Sequence, residues 1–113
     1  MLRPRFRYSE QVTLVDDGAG KGRGSIRIAP SGRNWQVEYL TVKCSSHVLE
    51  SIASVYENYI GPDYLVDSTL TGSVGDTTDT VIVVRDGYAL IVEWVGGDVG
   101  AVATVTWTGE EID

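Results

Sequence analysis

Residues 88–109 read YALIVEWVGGDVGAVATVTWTG and decide the fold of this chain. Two apolar runs flank Gly96-Gly97-Asp98, which predicts a reversal because Gly supplies backbone freedom and Asp bonds its own backbone. Every second residue of each run is apolar, and a period of two places these residues on one face of a strand: Leu90, Val92 and Trp94, then Ala103, Val105 and Trp107. We expect a β-hairpin that other strands cover, because an isolated two-stranded ribbon is marginal in water.

The length and composition predict one globular domain. The chain has 113 residues, of which 42% are hydrophobic and 22% are charged, values typical of a single-core protein. No run approaches the roughly 18 apolar residues that span a bilayer, and MLRPRFRYSE at the N-terminus lacks the apolar segment of a secretory signal. Cys44 is the single cysteine, so we expect a fold without an intramolecular disulfide.

Turn residues and alternating runs predict further strands along the chain. Asp86-Gly87 is a favoured two-residue hairpin turn, and the glycine-dense residues 17–24 would join an earlier hairpin. The alternating runs that predict strands are residues 11–16, 25–29, 35–44, 52–56 and 80–85. Seven to eight short strands without a sustained helical period predict an all-β fold, an antiparallel β-sandwich that is jelly-roll-like.

The run WQVEYLTVKC, residues 35–44, changes its pattern midway. Trp35, Val37 and Tyr39 share one face of a regular strand, whereas Leu40 and Val42 lie on the other face. A bulge near Tyr39 or Leu40 would return both halves to the same core.

The net charge of −7 is unevenly spread. Eight Lys and Arg against four Asp and Glu give +4 over residues 1–43, and one Arg against twelve acids gives −11 over residues 44–113. The first ten residues interleave basic and aromatic side chains, and this pattern is typical either of an arm that gains order on docking or of an edge strand. We therefore divide the chain into a basic N-terminal arm (1–10), a β-sandwich domain (11–109) and an acidic tail (110–113). The residues expected to bind a partner are Arg3, Arg5, Phe6, Arg7 and Tyr8.

This charge distribution bears on the choice of partner. Nucleic acid requires a coherent basic surface, which the acidic body lacks, so we expect no nucleic-acid partner. We also expect no membrane partner, because no apolar span is present. The arm should bind an acidic neighbour, and small closed homo-oligomers, with a trimer favoured, would cover exposed sheet edges.

The sequence offers few candidates for catalysis. His47 is the only histidine, which excludes a metal site with several histidines, and a Ser-His-Asp triad could use only this residue. Ser45 and Ser46 are adjacent to it in sequence, which by itself positions nothing. Cys44 ends an apolar strand, so a buried, inert thiol is expected. We predict no catalytic residues and no enzymatic activity.

Two further segments could suggest a ligand. The glycine-dense residues 18–24 resemble a phosphate-binding loop, but Gly22 stands where a Walker motif needs a hydroxyl, and a strand follows in place of a helix. A mobile hairpin tip is therefore predicted. Four carboxylates could collect a calcium ion, but their spacing matches no EF-hand loop and Asp is also a turn residue: Asp63, Asp67, Asp76 and Asp79. We predict no metal ion and no cofactor.

The aromatic residues divide into core and surface candidates. All three tryptophans lie within alternating strands, which predicts burial. Tyr56, Tyr59 and Tyr64 instead flank the turn Gly61-Pro62-Asp63. An exposed ring can bind a ligand through its free face, so these tyrosines are the candidate ligand surface.

Three stretches in order carry a family resemblance: WQVEYLTVKC, then ASVYENYIGPDYLVDSTLTGSVGDTTD, then DGYALIVEWVGGDVGAVATVTWTG. Over about residues 25–109, the chain resembles small β-sandwich virion proteins of tailed phages, particularly actinobacterial phages. These are capsid decoration, minor capsid and tail accessory proteins. The similarity lies in the order of a Trp-led strand, a Val-Tyr strand, an Asp-x-Thr-x-Thr-Gly loop and a Gly-Gly-Asp hairpin. It implies a structural role in a virion assembled from proteins made in the host cytoplasm, and it supplies no active-site residues.

These observations predict a non-enzymatic structural protein of a phage virion. The expected role is a capsid decoration or minor capsid protein that binds the major capsid protein lattice through its N-terminal arm. Two alternatives stay open: a carbohydrate-binding or host-adhesion module that uses residues 56–79, and a tail or neck accessory protein.

Overall fold

The computed structural model describes residues 5–30, 32–71, 76–77 and 82–112, and most of them lie in β-strands. A turn of 3-10 helix spans Pro62–Tyr64. The described residues form no helix long and apolar enough to cross a membrane. The described residues contain ten strands: β1 (Arg5–Thr13), β2 (Val15–Asp16), β3 (Gly22–Ile28), β4 (Asn34–Cys44), β5 (Ser51–Glu57), β6 (Leu65–Thr71), β7 (Asp76–Thr77), β8 (Ile82–Val84), β9 (Leu90–Gly97) and β10 (Val102–Ile112).

The strands form two five-stranded antiparallel sheets. The first has the order β1-β10-β4, with β7 and β8 both pairing with β4, and the second has the order β2-β3-β9-β5-β6. The pairing is nested, since β1 pairs with β10, β3 with β9, β4 with β8 and β5 with β6. Nested pairs wrapped into two sheets are the arrangement of a jelly roll. The predicted jelly-roll β-sandwich is confirmed, with ten strands among the described residues where seven to eight were expected.

The hydrophobic core lies between the two sheets. Trp94 of β9 and Trp107 of β10 are 0% and 1% exposed. The other residues predicted on the same strand faces are also buried: Leu90, Val92, Ala103 and Val105. The period of two therefore identified the buried faces of both strands correctly.

The predicted hairpin of residues 88–109 is wrong in its pairing. β9 and β10 do not pair with each other; β9 lies between β3 and β5, and β10 lies between β1 and β4. The chain crosses from one sheet to the other at residues 98–101, so the two apolar faces cover one another across the core. The turn at Asp86-Gly87 likewise joins strands of different sheets, β8 and β9. The first predicted hairpin survives only in two residue pairs between β2 and β3.

The predicted bulge in the longest early strand is confirmed. Tyr39 and Leu40 of β4 lie opposite the single residue Trp107, because the register shifts between Thr106 and Thr108. Tyr39 adopts a φ of 51° and is 70% exposed, which shows that it is the extra residue. Val37 before the bulge and Leu40 after it are both buried.

The structure replaces the predicted arm and tail with paired strands. Residues 5–13 form β1, and nine consecutive pairs join it to β10, from Arg5 opposite Glu110 to Thr13 opposite Val102. β10 itself continues to Ile112. Of the two alternatives for the N-terminus, the described part is thus an edge strand, since its aromatic residues have a packing surface on the core. Residues 1–4 and 113 lie outside the described residues.

Candidate functional site

The first candidate surface is the basic edge strand, which we define as β1. No strand in the described part of the chain pairs with its outer edge. Its side chains alternate, so that Phe6 and Tyr8 are half-buried towards the core while Arg7 is exposed. An edge strand of nine residues presents a row of backbone N–H and C=O groups that a partner can pair with.

The aromatic residues of the basic edge strand anchor it to the core. The Phe6 ring centroid lies 5.0 Å from that of Trp107 and 5.5 Å from that of Trp35. The Tyr8 ring stacks on Trp107 at 5.4 Å. The Tyr8 hydroxyl donates to the Glu10 carboxylate, and burial, followed by this hydrogen bond, raises the pKa of Tyr8 to about 12. Phe6 and Tyr8 are therefore packing residues.

The predicted partner-binding residues thus separate into two groups. Arg5 begins β1 and Arg7 lies on its exposed face, whereas Phe6 and Tyr8 are turned inwards. Arg3 lies outside the described residues. A partner would meet the arginines and the free strand edge, because the two rings are already covered by the chain's own tryptophans.

The second candidate surface is the tyrosine end, which we define as Tyr59, Tyr64 and Tyr88. Tyr59 and Tyr64 lie on the turn between β5 and β6, with ring centroids 5.3 Å apart and an interplanar angle of 60°. Their exposed fractions are 59% and 45%. Two of the three predicted ligand tyrosines are therefore brought together, on a turn that leaves both rings accessible to solvent.

The third predicted tyrosine, Tyr56, is not part of the tyrosine end, and Tyr88 takes its place. Tyr56 lies in β5 directly opposite Ile91 of β9, half-buried on the outer face of that sheet. Tyr88, which the sequence interpretation missed, is 43% exposed. It lies beside the turn because the Asn58 N–H donates to the Ala89 carbonyl at 2.6 Å. The predicted turn at residues 86–87 could have indicated Tyr88 from the sequence. Because β5 and β9 pair antiparallel, that turn lies at the same end of the sandwich as the turn between β5 and β6.

The third feature is the Asp98 clasp, which lies in the crossing between β9 and β10. The Asp98 carboxylate accepts hydrogen bonds from the backbone N–H groups of His47, Val48 and Leu49 at 2.9, 3.0 and 2.9 Å. The Asp98 N–H donates to the Ser46 hydroxyl at 2.8 Å, and that hydroxyl donates to the Leu49 carbonyl. The backbone hydrogen bonds, that of His47 first, lower the pKa of Asp98 from 3.8 to about 2.

The residues considered for catalysis, Ser45, Ser46 and His47, lie in or beside the Asp98 clasp. The His47 side chain is 82% exposed, and its Nδ1 lies 3.8 Å from Asp98 Oδ2. The Ser46 hydroxyl is bonded to backbone groups, and the Ser45 hydroxyl accepts the Val102 N–H at 2.8 Å. Nucleophilic catalysis needs a hydroxyl or thiol within hydrogen-bond reach of its base. These contacts instead hold the loop between β4 and β5. Cys44 is buried in the core, as predicted.

We expect Asp98→Asn to lower the melting temperature at neutral pH and to weaken its dependence on acid. The pKa of Asp98 is lower in the folded protein than its ordinary value of 3.8, so the carboxylate stabilises the fold above about pH 4 and loses this effect as the pH falls towards about 2. The asparagine side chain keeps one acceptor oxygen, but its NH2 group is a donor and would face the backbone N–H donors of residues 47–49. Thermal unfolding followed by circular dichroism across this pH range measures both effects. The exposed Asp63→Asn variant is the control, and an unchanged pH profile in Asp98→Asn would contradict the assignment.

Two carboxylates of the chain accept hydrogen bonds from the backbone of the glycine-dense segment. Asp16 Oδ1 accepts the N–H groups of Gly18 and Gly20 at 2.8 and 3.1 Å. Asp17 Oδ1 accepts those of Ala19 and Lys21 at 2.7 and 3.3 Å. The amide groups that a phosphate would need are already bonded, and the segment is the tip of the β2–β3 connection.

The aspartates considered for calcium are spread over several elements. Asp63 lies in the 3-10 turn, Asp67 in β6 and Asp76 in β7. Asp79 lies outside the described residues. Where the structure describes the chain, no three His, Cys, Asp or Glu residues lie together so as to hold a metal ion.

The chain matches no protein-family model and no curated protein. Its fold is shared by viral capsid domains, lectin domains and cupins, and a fold of this kind does not by itself select a function. The two surfaces that distinguish this jelly roll are the basic edge strand and the tyrosine end.

Proposed function

We propose that the chain is a non-enzymatic structural protein of a phage virion, a capsid decoration or minor capsid protein. It binds the major capsid protein lattice through the basic edge strand. The observation that carries this proposal is the long β1 at the margin of a sheet, with its outer edge unpaired by any described strand and with Arg7 exposed beside it. The resemblance of residues 25–109 to small virion proteins supports the same role.

The physical chemistry of such an edge favours repeated docking. Every second residue of an edge strand turns its N–H and C=O groups away from the sheet. Arg7 adds a positive charge that selects an acidic neighbour, and the remainder of the chain is acidic. A contact made by one strand edge and one charged side chain is weak alone, but many copies on a lattice attach firmly through effective concentration.

The packing of Phe6 and Tyr8 determines how docking through the basic edge strand must be tested. Deleting residues 1–8 would remove two rings that contact Trp107 and would destabilise the sandwich together with any docking. A charge change on the exposed face leaves these rings in place. A homo-oligomer, which we propose to be a trimer, would cover sheet edges that a single sandwich leaves exposed.

We expect Arg7→Glu to reduce the occupancy of the protein on purified phage particles severalfold, because reversing an exposed charge opposes an acidic partner. Arg85→Glu, the same change in an exposed residue beyond β8, should leave occupancy unchanged. Occupancy is measured by quantitative mass spectrometry of particles against the major capsid protein. Cryo-electron microscopy of the same particles shows whether the copies are grouped in threes.

Three results would contradict the proposal in different ways. Absence of the protein from purified particles overturns the virion role. Equal occupancy for the two charge variants overturns the anchor. Density confined to the tail or neck overturns the capsid position and favours the accessory role at that location.

A further inference from the structure

The tyrosine end is a second surface that the virion role leaves unused. We propose that it binds a saccharide, specifically a neutral glycan whose pyranose rings stack on Tyr59 and Tyr64. This inference goes beyond the structural role and does not depend on it, because the tyrosine end is built by turns that lead into strands β6 and β9 of the second sheet, whereas the basic edge strand belongs to the first.

The rings are arranged as a platform. Tyr59 and Tyr64 meet edge to face with ring centroids 5.3 Å apart, and both side chains remain exposed, by 59% and 45%. Tyr88, on the neighbouring connection, is 43% exposed. Tyr combines an apolar ring with a polar hydroxyl, and a pyranose likewise combines an apolar C–H face with polar hydroxyls. The two surfaces match in chemistry.

The platform is held in place before any ligand arrives. The backbone N–H of each tyrosine is bonded within its own turn, to Glu57 at 2.9 Å, to Gly61 at 3.0 Å and to Arg85 at 2.9 Å for Tyr59, Tyr64 and Tyr88 respectively. The Asn58 N–H ties the two connections together at 2.6 Å. Asn58 adopts the left-handed conformation with a φ of 72°, which Asn tolerates in turns. A preorganised surface loses less entropy on binding.

The polar groups around the rings select the charge of the ligand. Asp63 is exposed between the two contacting tyrosines in sequence, and Glu57 ends β5 directly before this turn. Asp86 lies on the connection that carries Tyr88, where its carboxylate accepts the Gly32 N–H at 3.0 Å. Arg85 is the single basic residue among residues 57–65 and 85–89. Carboxylates only accept hydrogen bonds, which suits sugar hydroxyls as donors. The excess of carboxylates opposes sialylated, sulfated or phosphorylated ligands.

The test uses the full chain with biotin at its C-terminus, tetramerised on streptavidin so that weak binding is amplified. The probe is an array of neutral and acidic oligosaccharides. We expect binding to a subset of neutral glycans. Tyr59→Ala and Tyr64→Ala should each reduce the apparent affinity about two- to tenfold, the loss expected for a stacking contact, and Tyr88→Ala should have a smaller effect.

The matched control is Tyr39→Ala, which removes an even more exposed tyrosine from the bulge of β4 in the other sheet and should leave glycan binding unchanged. Circular dichroism of each variant confirms that the fold is retained. The proposal is overturned if the tetramer binds no glycan on the array, if it binds only acidic glycans, or if binding survives in the double Tyr59→Ala, Tyr64→Ala variant. Loss of virion occupancy in Arg7→Glu, with glycan binding intact, would separate the two functions.

Discussion

Replacing Trp107 with alanine is expected to lower the free energy of unfolding by about 3–5 kcal/mol, the range for burying an alanine in place of a large aromatic residue. Trp107 is 1% exposed and contacts Phe6, Tyr8 and Trp35 with centroid distances of 5.0, 5.4 and 5.2 Å. The cavity would therefore open where β1, β4 and β10 meet. Domains of this size are stable by only about 5–15 kcal/mol, so the variant should be close to unfolded.

Urea denaturation followed by far-ultraviolet circular dichroism measures this effect. Trp107→Phe is the matched variant, because it keeps a ring against Phe6 and removes an indole N–H that is buried without a hydrogen-bond partner among the described atoms. It should cost clearly less than alanine. Tyr39→Ala, at an exposed position, should change stability by less than about 0.5 kcal/mol. Equal midpoints for Trp107→Ala and Tyr39→Ala would show that Trp107 is not part of the core.

Gly109→Ala is expected to destabilise the fold clearly, although it adds a single methyl group. A Cβ at Gly109 would lie 2.5 Å from the Gln36 carbonyl oxygen and 3.0 Å from the Trp107 ring. The first of these atoms belongs to the backbone of β4, so the strands themselves must separate to admit the methyl group. Overpacking of this kind costs about 1–3 kcal/mol, and more where backbone must move.

Gly61→Ala separates this clash from the general effect of replacing a glycine. Its φ of 173° is extended backbone that alanine adopts readily, and the new Cβ would meet the Tyr64 ring at an ordinary 3.6 Å. Alanine there should be neutral or slightly stabilising, because it reduces the entropy of the unfolded chain. Melting temperatures of the two variants, compared with the unmodified protein, test the prediction. A Gly109→Ala protein as stable as Gly61→Ala would refute the close approach of β4 and β10.

Much of the fold was accessible from sequence because burial in a strand follows a period of two. The alternation around Trp94 and Trp107 identified their faces as core, and both are buried. The break in alternation at Tyr39 predicted a bulge, since no other device returns a shifted pattern to the same core. The structure has that bulge at the predicted residues.

Strand partners were less accessible for a physical reason. The turn residues at 96–98 specify that the chain reverses, but they do not specify whether the two arms stay in one sheet. Both arms carry apolar faces, and stacking them across the core buries each face against the other. The N-terminal residues were ambiguous in the same way, because Phe6 and Tyr8 have no apolar partner nearby in sequence. Trp35 and Trp107, which cover them, lie about 30 and 100 positions away.

The candidate sites follow the same division. Sequence alone identified Tyr59 and Tyr64, because both flank one turn, and it identified the uneven charge of the chain. The pairing of β5 with β9 is what places Tyr88 at the same end of the sandwich. The three backbone donors to Asp98 lie about 50 residues away in sequence. Local patterns determine which face of each strand is apolar. The tertiary structure decides which distant segments meet, because that choice depends on burying all the apolar faces at once.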